Sequence, residues 1–559
     1  MLKRTFSLSR AQKPSLLGLC RGEKRSVVKP TFSLSLGVAT LLAIAAACSP
    51  LHTKTQGPVV QTGISAPIFP DYADTLVLPP NIAPLDFRIQ SDSFSDGPYQ
   101  IRLYVQSPSG MLLDSARQET KRFVRLKTSL WHDFLQKAAS CGGSLLLDIY
   151  ARGENRLLQY KRKTWRVASD SIDPYLVYRL NAHDDNPGGH LQIVQRSLSD
   201  FSQTVLMDNH LTDNSCMNCH ASSNNDAHRM MVHLRGKYSG TLLFNDNEIL
   251  KIALPLGYPD LRLAYPSWSS DGRFIAFAST RVGSRPYSNS FRTQDFLIDT
   301  LGRILIYDMA ENRLFSSPEL MDARCENTFP AWSPDGKTLY FCQSVLWDSL
   351  NQLPNEKTKW ASFRYRLVSV SFDSQTSTFG EITEVFNLEK RSRSISMPSV
   401  NPDGNYILAN SLLVGSYPSQ NQGDFILLKR EVHNGKETWR EADASPLNSP
   451  DSERYHSWSS NGRWVVFDSK RFNGAMGLVF ISYFDRNGHF SPPFVLPQYE
   501  RDFYLKNTRS FIFPTLNRNS ATFTAKEWAD AVKQPAVAPD MRYFENYYRP
   551  GAFTPESGH

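Results

Sequence analysis

The residues best suited to chemistry lie in the segment NSCMNCHASS, where Cys216 and Cys219 stand two residues apart and His220 follows at once. Two thiols and an imidazole at this spacing can anchor a haem, supply half of a zinc site, or form a redox dithiol. Each of these sites needs a different compartment or different neighbours, so the rest of the chain decides among them.

Residues 1–48 have the order of an export signal. Basic residues end at Lys29, an apolar run of 16 residues follows, and Cys48 comes directly after it. This order is typical of secretion, and the run is short for a membrane span. The stretch Ala45–Cys48 resembles the lipobox of bacterial lipoproteins. That resemblance predicts lipidation at Cys48, a tether over residues 49–65, membrane attachment through the lipid, and a location in the periplasm or cell envelope. A plain cleaved signal and an uncleaved anchor are the alternatives.

The net charge of +8 does not indicate nucleic-acid binding. The export signal holds eight basic residues and one acidic residue, so seven of the eight net charges lie there and the remainder of the chain is almost neutral. A nucleic-acid-binding domain carries its basic excess on the folded part. Because 41% of the residues are hydrophobic and 12% are aromatic, the remainder can build packed cores.

A repeated unit runs through residues 256–530. Five stretches share an aromatic-rich strand end, an Asp or Asn turn and a second strand: YPSWSSDGRFIAF, FPAWSPDGKTLYF, MPSVNPDGNYILA, YHSWSSNGRWVVF and the worn copy FPTLNRNSATFTA. The acid or amide caps a tight turn, and the following glycine supplies a positive φ. A spacing near 60 residues leaves room for two hairpins per unit, which favours a β-propeller over a β-sandwich.

These stretches resemble the blades of TolB-like propellers, and Trp332–Phe341 matches their W-S-P-D-G-K-x-[IL]-x-F pattern almost letter for letter. The resemblance implies an all-β chain with a six-bladed propeller. Residues 169–255 would be the sixth, atypical blade region, disturbed by an insertion that carries the cysteine pair. Residues 66–168 read as a small β-sandwich-like domain with one helix near residues 128–138, and residues 531–559 as a C-terminal tail.

In an exported chain the cysteine pair favours one covalent c-type haem. Cys216 and Cys219 would bond the vinyl groups, and His220 would be the proximal iron ligand. A zinc site would need two more ligands, for which His210 and His228 are the nearest candidates. A redox dithiol would need a βαβ context that the sequence does not offer, and a disulfide across two residues would be strained.

The sixth haem ligand is predicted on the next strand. In HRMMVHLRG, alternation places Met231, His233 and Arg235 on one face. We therefore expect His233 or Met231 as the distal ligand and Arg235 as a propionate contact. Ordinary packing is the alternative for each of them. His456 can face the propeller channel or be a satisfied loop histidine.

The stretches PPNIAPLDFRI, IVQRSLSDF and NSCMNCH are similar to those of Bacteroidetes-type TolB-like lipoproteins with a cytochrome-c-like motif. The resemblance implies a lipid-anchored monohaem protein that transfers electrons and docks a redox or envelope protein partner. A non-enzymatic envelope scaffold with structural or no haem is the alternative, and a haem enzyme with an open iron site is a third hypothesis. The sequence predicts no catalytic residue and no nucleic-acid partner.

Overall fold

The structure of the chain is a computed structural model. It describes residues 58–91, 97–153, 155–181, 189–246, 248–258, 261–285, 296–345, 363–417 and 423–545. The predicted export signal, Cys48 and the start of the tether lie outside this part, as does the end of the predicted tail. Within it, no helix has both the length and the apolarity needed to cross a membrane.

Most of the described chain is β-structure with few helices, which confirms the all-β class. The N-terminal part holds a seven-stranded and a three-stranded sheet. Their strands are β1 (Val59–Gln61), β2 (Ile68–Phe69), β3 (Thr75–Leu78), β4 (Phe87–Ile89), β5 (Tyr99–Gln106), β6 (Leu112–Thr120), β7 (Phe123–Val124), β8 (Ser144–Arg152), β9 (Leu157–Gln159) and β10 (Lys163–Val167).

The helix predicted from apolar spacing is α1 (Thr128–Cys141). Its buried face consists of the expected side chains, Trp131, Phe134, Leu135 and Ala138. The helix ends where Gly142 adopts a left-handed conformation with φ 67°. Trp131 also donates its indole N–H to the Ile82 carbonyl at 2.9 Å, which ties the helix to the preceding loop.

The rest of the described chain forms six antiparallel sheets. Sheet 6 combines distant segments: β11 (Tyr175–Asn181), β12 (Leu191–Ser197), β13 (Gln203–Asp208) and the late strand β35 (Ser510–Asn517). Sheet 1 holds β14 (Cys216–Ser223), β15 (Asp226–Arg235), β16 (Gly240–Asn245) and β17 (Glu248–Ile252). Sheet 2 holds β18 (Ala264–Trp268), β19 (Phe274–Arg285), β20 (Phe296–Asp308) and β21 (Arg313–Phe315).

Sheets 3 to 5 complete the set. Sheet 3 holds β22 (Cys325–Trp332), β23 (Thr338–Val345), β24 (Arg366–Asp373), β25 (Thr378–Phe379) and β26 (Thr383–Phe386). Sheet 4 holds β27 (Ser394–Val400), β28 (Tyr406–Leu412), β29 (Asp424–His433) and β30 (Lys436–Ala442). Sheet 5 holds β31 (Glu453–Trp458), β32 (Trp464–Ser469), β33 (Leu478–Tyr483) and β34 (Phe494–Val495). Short helices α2 (Phe503–Lys506), α3 (Ala525–Val532) and α4 (Arg542–Glu545) flank β35.

One strand of each sheet, which we call its inner strand, meets the inner strand of the next sheet. The inner strands are β14, β18, β22, β27, β31 and β35, and β35 contacts both β31 and β14. The turns after four of them have the predicted chemistry. In sheet 2, for example, Asp271 accepts hydrogen bonds from Ser269 and from the Arg273 backbone. The glycines of these four turns, Gly272, Gly336, Gly404 and Gly462, all have φ between 65° and 74°.

Two segments differ from their predictions. The cysteine-bearing stretch is no insertion, because Cys216–Ser223 is itself the inner strand of sheet 1. The worn fifth repeat does not form a hairpin of its own, because β35 pairs with β11, more than 300 residues earlier in the chain. The N-terminal part packs on sheet 5 through Asp170, which accepts hydrogen bonds from Trp464 and Tyr483.

Candidate functional site

The six inner strands share one local distortion. Each carries a β-bulge, and the first bulge residue has a positive φ between 48° and 58°. Such a φ is uncommon for residues other than glycine, so its recurrence shows that the six strands share one type of bulge. The residues in this position are Cys219, Tyr265, Phe329, Met397, Tyr455 and Phe513.

The second bulge residue divides the strands into two kinds. Four strands carry proline there, whereas sheet 1 has His220 and sheet 5 has His456. All six bulges line one cavity of about 300 Å³, which we call the axial cavity. Its wall is largely aromatic and proline-rich, and the two imidazoles and the Cys219 thiol are its chemically distinctive groups.

His220 is the most unusual side chain of the axial cavity. It is only 5% exposed, and neither ring nitrogen makes a hydrogen bond. Burial, reinforced by the nearby Arg179 charge, lowers the pKa of His220 to about 3. The Phe513 backbone lies near the ring and has the opposite effect on the pKa of His220. Its position does not meet the geometry of a hydrogen bond. The imidazole is therefore neutral at pH 7, with one unpartnered donor and one unpartnered acceptor.

The electrostatic surroundings of His220 are cationic. Burial raises the pKa of the Cys219 thiol, and the charges of Arg235 and Arg179 oppose that rise. Arg179 is 5% exposed and donates to the Met217 carbonyl at 3.2 Å. The side-chain charges that act most strongly on the pKa values of Cys219 and His220 are those of arginines. The main charges near this side of the cavity are therefore positive.

His456 lines the cavity, as one of its two interpretations predicted. Its Nε2 donates to the Leu408 carbonyl at 2.8 Å, which leaves Nδ1 as an acceptor without a partner. Burial lowers the pKa of His456 to about 4. Trp332 of β22 also lines the cavity, and its ring packs on Phe372 at a centroid distance of 5.1 Å. The unsatisfied polar atoms of the two cavity histidines therefore lie on β14 and β31.

The structure places the other predicted site residues around Cys216. Cys216 pairs in register with Arg235, and Asn218 pairs with His233. Cys216 packs against the hydrophobic cluster of Met217 and Leu234, whereas Cys219 belongs to a different cluster. The two thiols thus contact separate cores on the two sides of β14.

The two predicted distal ligands have partners of their own. His233 is buried and its Nδ1 lies 2.9 Å from the Thr241 hydroxyl. Burial, followed by the charges of Arg235 and Arg262, lowers the pKa of His233 to about 3. Met231 is fully buried in a cluster with Trp268 and other apolar side chains.

Neither histidine considered for a zinc site joins the cysteines. His210 lies beside His190 and Asp208, and His228 lies 3.5 Å from Asp246. The described cysteines are all free thiols. What sequence reasoning missed is that Cys219-His220-Ala221 occupies the repeat position of Tyr265-Pro266-Ser267. The signal in the sequence was the small residue, Ser, Ala or Thr, at the third position of all six strands.

Comparisons with known proteins give weak likenesses. No family model matches the chain, and no curated protein matches it. A prolyl endopeptidase structure is 10% identical, with a TM-score of 0.30, over 58% of this chain and 42% of that chain. A putative dipeptidyl aminopeptidase IV from Bacteroides ovatus is 10% identical, with a TM-score of 0.24, over 58% and 61%. Prolyl oligopeptidase B from Galerina marginata is 12% identical, with a TM-score of 0.27, over 75% and 62%.

These matches correct the sequence-based identification. The similar structures are peptidases rather than TolB-like cytochromes, so the identification as a TolB-like haem lipoprotein was wrong. The functions predicted from this identification, electron transfer and an envelope scaffold, are therefore wrong as well. The covalent haem at Cys216, Cys219 and His220 stays a prediction without a supporting match, and no function is assigned through it. The chain spans less than two thirds of each of these peptidases.

Proposed function

We propose that the six sheets form a closed six-bladed β-propeller whose axial cavity binds a small carboxylate ligand. Three observations support the closed arrangement: the inner strands contact one another in cyclic order, each carries the same bulge, and all six line one cavity. Sheet 6 joins β35 to β11–β13, which is how propellers secure the ends of the chain.

The binding proposal rests on His220. A buried polar group without a hydrogen bond costs about 1–3 kcal/mol, so folded proteins rarely keep one without a use for it. His220 has two such atoms, and four of the six equivalent positions carry a proline that would avoid the cost. Both nitrogens are shielded from the open space of the cavity, so the proposal requires the imidazole ring to turn before it can hydrogen-bond a ligand.

The chemistry of the wall favours a carboxylate with an apolar or amide-bearing body. The Arg179 and Arg235 charges give the His220 side a positive potential, which attracts an anion. The imidazole N–H can donate to one carboxylate oxygen. The Nδ1 atom of His456 is an acceptor without a partner, and it can accept a hydrogen bond from an amide N–H of the ligand if that ring also turns towards it. The aromatic rings of the wall suit an apolar group between the two.

Peptide hydrolysis, which the neighbours' names imply for those proteins, is not part of this proposal. A serine or cysteine nucleophile needs a histidine base within hydrogen-bond reach. Among the described histidines, none hydrogen-bonds a serine or a cysteine. Short peptides nevertheless remain the natural first probes, because a peptide end combines a carboxylate, an amide N–H and an apolar side chain.

The decisive experiment compares dipeptides with a free carboxylate, the same dipeptides amidated at the C-terminus, and small aromatic carboxylates. Binding is measured by isothermal titration calorimetry to the full chain and to the double variant Cys219→Phe/His220→Pro. This variant gives sheet 1 the Phe-Pro pair that sheets 3 and 6 already carry, so it fills the cavity with a pair the fold accommodates.

We expect the free carboxylates to bind the wild-type chain at least tenfold more tightly than the amides, and the double variant to lose this binding. His433→Ala, on the exposed hairpin of sheet 4, is the matched control and should bind as the wild type does. Equal binding of acids and amides, undiminished binding by a folded double variant, or no binding of any carboxylate by the wild type would refute the proposal.

We also propose that the chain is exported and lipidated at Cys48, which would place the cavity in the periplasm or cell envelope. The support is the order of basic run, apolar run and cysteine in residues 1–48. Labelling cells with a fatty-acid analogue tests this: the wild-type chain should incorporate label and Cys48→Ser should not. Label on both proteins or on neither would contradict it.

A further inference from the structure

A second group of chemically capable side chains lies at the outer edge of sheet 6. His190 precedes β12, Asp208 ends β13, and His210 is the second residue of the 3-10 turn Asn209–Thr212. One ligand atom from each side chain lies within 4.8 Å of the others. His190 and Asp208 are half-buried and His210 is exposed, so the group is open to solvent on one side.

A buried asparagine fixes the relative position of these residues. Asn209 is fully buried, its Oδ1 accepts from the Leu191 N–H at 3.0 Å, and its Nδ2 donates to the Gly189 carbonyl at 3.0 Å. It therefore holds both chain neighbours of His190 against the turn that carries His210. This clamp fixes the backbone positions from which the His190 and His210 side chains extend.

The Asp208 carboxylate and the two imidazoles are also oriented. Gln192 donates to Asp208 Oδ2 at 2.8 Å, and the His210 backbone N–H donates to Oδ1 at 3.0 Å. The His190 Nε2 lies 3.0 Å from the same Oδ1. The His190 and His210 rings stack with their centroids 3.8 Å apart and an interplanar angle of 8°, so one ring must turn before both imidazoles face a single ion. The contacts from Gln192 and from the His210 backbone are outer contacts of the kind that orient the ligands of metal sites.

We propose that His190, Asp208 and His210 bind one divalent metal ion of the zinc type. Two imidazoles and one carboxylate are a donor set suited to Zn²⁺ and its neighbours, whereas Ca²⁺ and Mg²⁺ need more oxygen ligands. Tetrahedral zinc with bonds near 2.1 Å separates its ligand atoms by roughly 3.4 Å. The exposed His210 ring can make the small movement that this requires, and the ion would displace the proton between His190 and Asp208.

With three protein ligands and an exposed His210, the metal would bind from solvent and keep one free coordination position. The three protein ligands leave a fourth site for water. Arg509 donates to Gln192 at 2.9 Å, and its charge acts on Asp208, so the site carries a cation nearby and should hold the metal less tightly than a four-cysteine site. The bound ion would join β12, β13 and the following turn at the edge of sheet 6.

The test is titration of the chelator-treated full chain with Co²⁺, followed by competition with Zn²⁺. We expect one equivalent of Co²⁺ to give visible absorption bands of a four- or five-coordinate site, and Zn²⁺ to abolish them. His190→Ala, Asp208→Asn and His210→Ala should each weaken Zn²⁺ binding at least about tenfold. His228→Ala is the matched control, because His228 and Asp246 are a similar pair without a third ligand.

Two results would overturn the proposal. One is the absence of Co²⁺ or Zn²⁺ binding by wild-type protein whose circular dichroism shows it to be folded. The other is unchanged binding in all three ligand variants, which would place the ion elsewhere, for example at the cysteines of β14. A thermal scan gives an independent readout: Zn²⁺ should raise the melting temperature of the wild type and of His228→Ala, but not of the ligand variants.

Discussion

Replacing His220 by proline is the sharpest test of the axial cavity, because we expect it to stabilise the fold. Four inner strands already carry proline in this position after a residue with positive φ. The register of β14 and β15 skips residues 219 and 220, just as the registers of the four proline-bearing inner strands skip their bulge residues. The substitution therefore repeats a local structure that the chain uses elsewhere.

The expected gain at pH 7 follows from two terms. Removing an imidazole with unsatisfied buried nitrogens recovers about 1–3 kcal/mol of desolvation cost. Proline in a compatible backbone adds about 0.4–1 kcal/mol by restricting the unfolded chain. Some apolar contact of the ring is lost, so we expect a net increase of about 1–3 kcal/mol in the free energy of unfolding.

The gain should grow as the pH falls. The pKa of His220 is about 3 in the folded chain and about 6.5 in the unfolded chain. Below pH 6.5 the imidazole is therefore protonated in the unfolded chain but stays neutral in the folded chain. The free energy of unfolding is unaffected by this residue above pH 6.5 and decreases progressively as the pH falls towards 3. Between pH 7 and pH 5 the wild type should lose about 2 kcal/mol through this residue, and His220→Pro should not.

The assay is urea unfolding of both proteins at pH 7 and pH 5, followed by tryptophan fluorescence. His233 and His456 titrate in both proteins, so their effect cancels in the difference. His456→Pro is the matched control: it should show the same pH effect but a smaller gain at pH 7, because it loses the hydrogen bond to Leu408. Destabilisation of His220→Pro at pH 7, or a difference that does not change with pH, would refute the reasoning.

Three further predictions concern the framework. Asp468→Ala should cost about 3–5 kcal/mol in unfolding experiments, because it leaves the fully buried Arg454 guanidinium without the carboxylate 3.2 Å away. Thr524→Ala should cost about 1 kcal/mol through loss of the capping box of α3, and Thr524→Ser should retain most of the stability. With a thiol reagent under native conditions, the exposed Cys141 should react fastest; Cys342, whose pKa burial raises strongly, should react only on unfolding.

The repeat units could be predicted because their chemistry is local. An Asp or Asn three residues before the next strand, followed by glycine, forms a turn through its own backbone contacts, and Asp271 and Gly272 do so here. Helix α1 could be predicted for the same reason, from the spacing of its buried side chains. In both cases a few neighbouring residues contain all the information.

Sheet 6 could not be predicted in this way. The strand β35 follows the same sequence pattern as the other inner strands, but its partner β11 lies more than 300 residues away in the chain. No turn motif connects the two strands, so the sequence does not indicate that they pair. Non-local pairings depend on how the other sheets have already folded. The fifth repeat was therefore expected to form a hairpin of its own, and the residues after β35 instead contact sheet 1, where Asn519 accepts from the Ala227 N–H at 2.8 Å.

The cysteine motif shows a different limit of sequence reasoning. Spacing alone does not show that the cysteine pair spans a bulge in a strand, and the haem at this pair stays a prediction. In β14 the bulge at Cys219 directs the two thiols to different hydrophobic clusters, and the repeat position of His220 becomes visible only when the six inner strands are compared. The close match of this segment to a haem-binding motif therefore made its weaker match to the repeat difficult to recognise.

The order of the inner strands also places the polar and the apolar side chains on opposite walls of the axial cavity. His220 and His456 lie on β14 and β31, the two strands that flank β35, and Arg179 packs over the Phe513 ring of β35 at 5.6 Å. The polar groups thus gather on three neighbouring strands, while β22, three steps away in either direction, presents Phe329 and Trp332. A ligand with uniform polarity would leave one of these walls poorly matched. A molecule with a carboxylate at one end and an apolar body at the other satisfies both walls, which is why we expect orientation, and not only affinity, to depend on His220.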